Sequence, residues 1–205
     1  MNIESAVDVA LPYSKCSRIR LMAMAKALAK LDEHDVEGDV VECGVCRGGG
    51  VILSRLLSDR VVWLYDTFKG MTNRSEYDVS RNGQKMVREG KHAVSLIEVA
   101  ANLERTDTCN LDALRIVIGP VEETLLQKDH VPDKIALLHL DTDWYHSTKI
   151  ELEVLWPRVQ PKGIMIVDDY GHWQGARKDV DEYFSAAERR TKIEIDYTAI
   201  MMVKA

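Results

Sequence analysis

The sequence predicts a doubly wound α/β domain of the Rossmann-like kind, a mostly parallel sheet covered by helices on both faces. Three observations carry this expectation. Apolar runs of strand length alternate with amphipathic stretches of helix length along the chain. The runs are almost wholly apolar, as strands buried on both faces must be, rather than alternating apolar with polar. No repeat, low-complexity tract or Pro/Ser-rich linker divides the 205 residues, so a single domain over 1–205 is the economical reading.

The elements follow in order. Residues 1–35 read as an N-terminal helical segment, with one opening amphipathic helix from Ser17 to Leu31, since Ile19, Met22, Leu28 and Leu31, with Ala25 between, keep helical spacing. A strand over 39–43 contains Val40 and Val41 and ends in Glu42 and a glycine turn, and a helix runs from Gly49 to Leu57. VVWLYD (61–66) is a buried strand that ends in an acid. Residues 67–92 are polar, with Gly70, Asn73, Ser75, Asn82, Gly83 and Gly90. That stretch is too long for an ordinary connection and predicts a mobile lid or an insertion. Beyond it the spacing predicts a helix from Val94 to Glu104, a strand over 113–119 and a short helix from Val121 to Leu126. A strand over 134–141, a helix from Ser147 to Trp156 halted by Pro157, and a strand over 163–169 come next. A helix from Gly175 to Ala187 and one or two strands within 192–203 close the chain.

Composition removes several classes of function. With 27 basic against 33 acidic residues the net charge is −6, and no Lys/Arg cluster offers the basic stripe that a phosphate backbone requires. The longest apolar stretch, Leu21 to Leu31, is interrupted by Lys26 and Lys30, so no membrane span is expected. The first residues lack a basic end followed by an apolar run, so no secretory signal is read and a cytoplasmic location is expected. Four cysteines are too few and too scattered for a disulfide scaffold.

In such sheets ligands bind beyond the carboxyl ends of the strands. The residues following the strands here are Glu42-Cys43-Gly44, Asp66, Gly119, Asp141-Thr142-Asp143 and Asp168-Asp169. One acid at a strand end is ordinarily a solvated loop residue or a helix cap. A whole rim of them repels itself and calls for a function. Gly44 and Gly48 allow a tight turn before a helix, but their spacing is not that of a dinucleotide fingerprint. Glu42 before this turn and Asp66 closing the next strand suit a nucleoside with an amino-acid tail, such as S-adenosylmethionine, with Asp66 on the ribose diol. Asp141, Asp143, Asp168 and Asp169 end neighbouring strands and need a cation, protonation or solvent to coexist. An all-oxygen set favours a hard ion, Mg²⁺ first, with Ca²⁺ and Mn²⁺ as alternatives; the plainer alternative is that Asp168 and Asp169 only cap a turn. Cys43 and Cys46 form a C-x-x-C between strand and helix, which leaves a thiol-disulfide protein as a rival. His139 reads as a core histidine, and His146, His172 and Trp173 as residues beside a substrate mouth.

The segments VVECGVCRGGG, YDTFKGM and LLHLDTDWYHSTKIELEVLWPRVQPKGIMIVDDYGHWQGARKDVDEYF together resemble the macrocin O-methyltransferase (TylF/MycF-like) family, over nearly the whole chain from about Tyr13. The resemblance implies a class I S-adenosylmethionine-dependent methyltransferase fold. It also implies Mg²⁺-dependent O-methylation of a hydroxyl on a small-molecule or glycoside natural product. By the same resemblance Asp141, Asp168 and Asp169 are the metal ligands and Asp143 the general base. Glu42, Cys43, Gly44, Val45 and Cys46, with Asp66, Thr67 and Phe68, are the cofactor-binding residues. The family's tendency to oligomerise implies a homo-oligomer. The remaining rivals are a catechol-type O-methyltransferase on an aromatic diol, a metal-dependent phosphohydrolase, and a non-catalytic ligand-binding domain.

Overall fold

The computed structural model describes residues 1–72, 74–84, 89–185 and 191–205. Seven strands form one sheet: β1 (Asp39–Cys43), β2 (Val62–Asp66), β3 (Leu114–Ile118), β4 (Ile135–Leu140), β5 (Val159–Val167), β6 (Ile193–Glu194) and β7 (Ile200–Val203). Their order is β3-β2-β1-β4-β5-β7-β6. The first five run parallel, β7 is antiparallel to β5, and β6 is antiparallel to β7. The strand order therefore reverses between β1 and β4, and the crevice above that point is where a doubly wound sheet admits a ligand.

Helices cover both faces, as the unbroken apolar strands require. On one face lie α1 (Ile3–Ala10), α2 (Arg18–Glu33), α3 (Gly49–Leu57) and α4 (Leu96–Arg105), which bury Val7, Leu28, Ile52 and Leu103 against Val40, Leu64 and Leu137. The other face is covered by α5 (Val121–Thr124), α6 (Tyr145–Val154) and α7 (Gln174–Ser185), which set Leu152, Val180 and Phe184 against Val41, Leu138 and Met165. The two sets come from alternate positions of the same strands, the period-2 signature of a sheet buried twice.

The single opening helix read from residues 17–31 is one of two. α1 precedes it, capped by the Asn2 side chain, which accepts from Ser5 N at 2.8 Å, and it buries Ala6, Val7 and Ala10 completely. The helix expected from Ser147 starts at Tyr145, for a reason that lies in the 67–92 segment. The expected extension of α7 to Ala187 falls outside the described residues, as do Asn73 and part of the 67–92 segment. No helix among the described residues is long and apolar enough to cross a membrane.

Candidate active site

A cavity of about 540 Å³ opens at the carboxyl ends of β1, β2, β4 and β5. One of its walls is the glycine turn after β1. Gly44 N donates to Tyr65 O at 2.8 Å, and the backbone there takes φ +90° with Asp141 O so close that any Cβ would overlap it. Only glycine permits that approach of β1 to β4. Asp66 ties this wall together: one carboxylate oxygen accepts from Cys46 N at 3.0 Å and the other from Phe68 N at 2.8 Å. Each oxygen keeps a further lone pair for a ligand. Gly119, Pro120 and Glu122, after β3, continue the wall.

Of the residues expected to hold the cofactor, Gly44, Cys46, Asp66 and Thr67 line this cavity. Cys43 and Val45 are buried in the two cores. Phe68 packs on the helical layer at φ +52°. Glu42 lies beneath the turn, 3% exposed, and faces His139 rather than the cavity.

The rim acids divide into two groups, and strand alternation says why. Consecutive residues leaving a strand point to opposite faces. Asp168 therefore continues the face of Ile164 and Ile166, toward α2, whereas Asp169 turns the other way. Asp168 is clasped by Arg20 of α2, whose guanidinium also donates to Asp196 Oδ2 at 2.8 Å and to Thr198. His139 stands between Asp168 and Glu42, with Nε2 3.8 Å from Asp168 and Nδ1 3.5 Å from Glu42. The Cys16 thiol lies 3.7 Å from Asp168 Oδ1 and 3.9 Å from Asp141 Oδ2. Burial alone would raise the Asp168 pKa, but His139 and Arg20 outweigh it and hold the carboxyl below its ordinary value. For His139 burial acts downward, and Asp168 and Glu42 overcome it, so the imidazole keeps its proton well above the usual pH.

The second group is Asp141, Asp143 and Asp169, each offering a carboxylate oxygen within 4.8 Å of the others. Burial, then the charges of Asp168 and Asp169, drive the Asp141 pKa well up; burial, then Asp169, does the same for Asp143. Three acids that cannot all ionise unaided could together hold a hard divalent ion. The structure thus brings Asp141, Asp169 and the expected base Asp143 together, and places the expected ligand Asp168 in the adjoining ion-pair network.

The C-x-x-C thiols lack the activation that redox chemistry needs. Burial raises the pKa of Cys43, which is wholly enclosed, and also that of Cys46, the opposite of a stabilised thiolate. Arg20, Cys16 and Lys15 at the cavity were not singled out from the sequence. Of the three residues expected beside the mouth, His172 and Trp173 line it and His146 does not.

Comparison with known proteins decides the family. The family model for Macrocin-O-methyltransferase (TylF) matches residues 6–204. The chain belongs to the TylF family. Within reach of this TylF-family chain is the demethyldecarbamoylnovobiocin O-methyltransferase of Streptomyces niveus, 34% identical over 189 residues, covering 86% of this chain and 71% of that protein. The 8-demethyl-8-(2,3-dimethoxy-alpha-L-rhamnosyl)-tetracenomycin-C 4'-O-methyltransferase of Streptomyces olivaceus is 37% identical over 143 residues, 66% of this chain and 54% of that one. The chain thus spans from about half to about seven tenths of the length of these relatives. Among solved structures the O-methyltransferase NovP superposes with a TM-score of 0.82 at 32% identity, covering 94% of this chain and 82% of that chain. The TylF-family chain therefore has the class I methyltransferase fold that the strand order already displays.

Proposed function

We propose that this protein transfers a methyl group from S-adenosylmethionine to a hydroxyl of a small-molecule or glycoside natural product, aided by a hard divalent cation, Mg²⁺ first. The observation that carries the reading is the single cavity wall on which the Gly44 turn and Asp66 stand beside the Asp141–Asp143–Asp169 trio. Family membership, and relatives named as O-methyltransferases of glycosylated or aromatic natural products, support the same chemistry.

In this reading Asp66 would hold the donor's ribose, with the base toward Gly119 and Glu122 and the amino-acid tail toward Cys46 and Lys15. Asp141 and Asp169 would hold the cation. Asp168 joins them only by turning from His139 and Arg20. When bound, the cation makes an acceptor hydroxyl easier to deprotonate. Asp143 takes that proton. The oxygen then forms its bond to the methyl carbon as the carbon–sulfur bond breaks, releasing S-adenosylhomocysteine. Holding both partners within one cavity supplies much of the rate.

The test is mass spectrometry for a gain of one methyl on a panel of hydroxylated glycosides and phenols, with S-adenosylmethionine and Mg²⁺. Transfer should vanish with excess chelator, and Asp141→Asn should lose it by at least 10³-fold while binding S-adenosylhomocysteine as before. Undiminished transfer in chelator would overturn the metal role. Turnover of phosphate esters without the donor would replace the reading with a phosphohydrolase.

A further inference from the structure

The segment between β2 and α4 is fastened to the acid-bearing loops. Asp78, 1% exposed, is the centre of that fastening. One of its carboxylate oxygens accepts from Ser75 N at 2.6 Å and Ser75 Oγ at 2.7 Å. The other accepts at 2.8 Å from Tyr145 N, the first residue of α6. Gly175, in the first turn of α7, has no room for a Cβ because the same carboxylate fills the space. Asp78 thus occupies the notch where the N-termini of α6 and α7 meet, and its charge suits both helix ends. Around it Trp144 Nε1 donates to Thr72 O at 3.1 Å, Gln174 N to Val79 O at 2.9 Å, and Arg81 N to His172 O at 2.7 Å.

Apart from the two Ser75 bonds, which stay within the segment, each of these hydrogen bonds reaches one of two loops: 141–145, which carries Asp141 and Asp143, or 168–174, which carries Asp168 and Asp169. Asp143 has φ +70°, a left-handed conformation that is costly for a non-glycine residue and survives only where the surroundings over-determine it. Two residues further on, Asp78 grips the chain.

We propose that Asp78 is a positioning residue: by clamping the starts of α6 and α7 it fixes the separation of the two loops and holds Asp143 left-handed. The three carboxylates are thereby gathered before any ligand arrives. The inference rests on the cation-assisted reading above and adds to it what prepares the site.

The test uses the full chain with Asp78→Asn and Gly175→Ala. The first keeps the shape but turns an amide donor toward one of the groups that now donate to the carboxylate; the second expels the carboxylate sterically. Mn²⁺ affinity, read by electron paramagnetic resonance, should fall at least tenfold in both, while S-adenosylhomocysteine affinity stays within twofold. Hydrogen exchange over 141–146 should accelerate. Mn²⁺ affinity within twofold of the parent in both variants overturns the inference. If the parent itself binds no Mn²⁺, the cation-assisted reading fails, and exchange alone judges Asp78: unaltered protection over 141–146 overturns it. Should either variant misfold, Ser75→Ala, which spares the Tyr145 bond, decides by the same readouts, with a threefold loss supporting the clamp and none overturning it.

Discussion

Arg20 reaches across 148 positions of sequence to Asp168 and, with Asp196 and Thr198, closes a small network under the cavity. Removing the guanidinium leaves a carboxylate that is 4% exposed with His139 as its remaining cationic partner, so Arg20→Met should cost about 1–3 kcal/mol in denaturant unfolding. In the proposed reading Lys15 would hold the donor's tail. It lines the cavity with Lys91 and His92, and the charges of both lysines, after burial, push the His92 pKa down. Lys15→Ala should therefore weaken S-adenosylhomocysteine binding about tenfold, one charge-assisted contact, and leave 5'-methylthioadenosine, which has no carboxylate, unaffected. Equal losses for both ligands in calorimetry would contradict that placement. The acids themselves were legible in the sequence, because each ends an apolar run. Their partition was not, because Arg20, Cys16 and Lys15 come from the N-terminal arm and announce nothing locally.

Elements show the same division. The strands stood out because a sheet buried on both faces writes continuous apolar runs, and β1 to β5 lie where those runs are. The start of α6 did not stand out, since Tyr145 N is capped by Asp78, 67 positions away, and no capping residue precedes it locally. α7 carries a testable liability. Asp179 is buried, its Oδ2 has no hydrogen-bond partner among the described residues, and burial above all, with Glu182 and Glu153 adding to it, pushes its pKa up to about 7. A folded pKa above the unfolded one means that the protonated form favours folding. That contribution is complete below about pH 4 and is lost as pH rises through about 7. Asp179→Asn should therefore gain on the parent as pH goes from 4 to 8. Solvent screening reduces the ~4 kcal/mol of the full shift to about 1–2 kcal/mol. A difference in thermal midpoint that stays flat with pH would contradict this.

At the scale of the whole molecule, the reversal of strand order between β1 and β4 puts the glycine turn and the first acid pair on adjacent strands. β5 then brings the second pair beside the first. In the proposed reading this topology gives a nucleoside donor and a cation neighbouring parts of one cavity, and α2 braces the cluster from below. The most direct measurement is the anomalous diffraction of crystals grown with Mn²⁺ and S-adenosylhomocysteine. The account predicts a manganese peak among Asp141, Asp143 and Asp169, with the nucleoside running from Glu122 past Asp66 to the Gly44 turn. A nucleoside bound there with no manganese at the trio, or manganese held elsewhere, would contradict it.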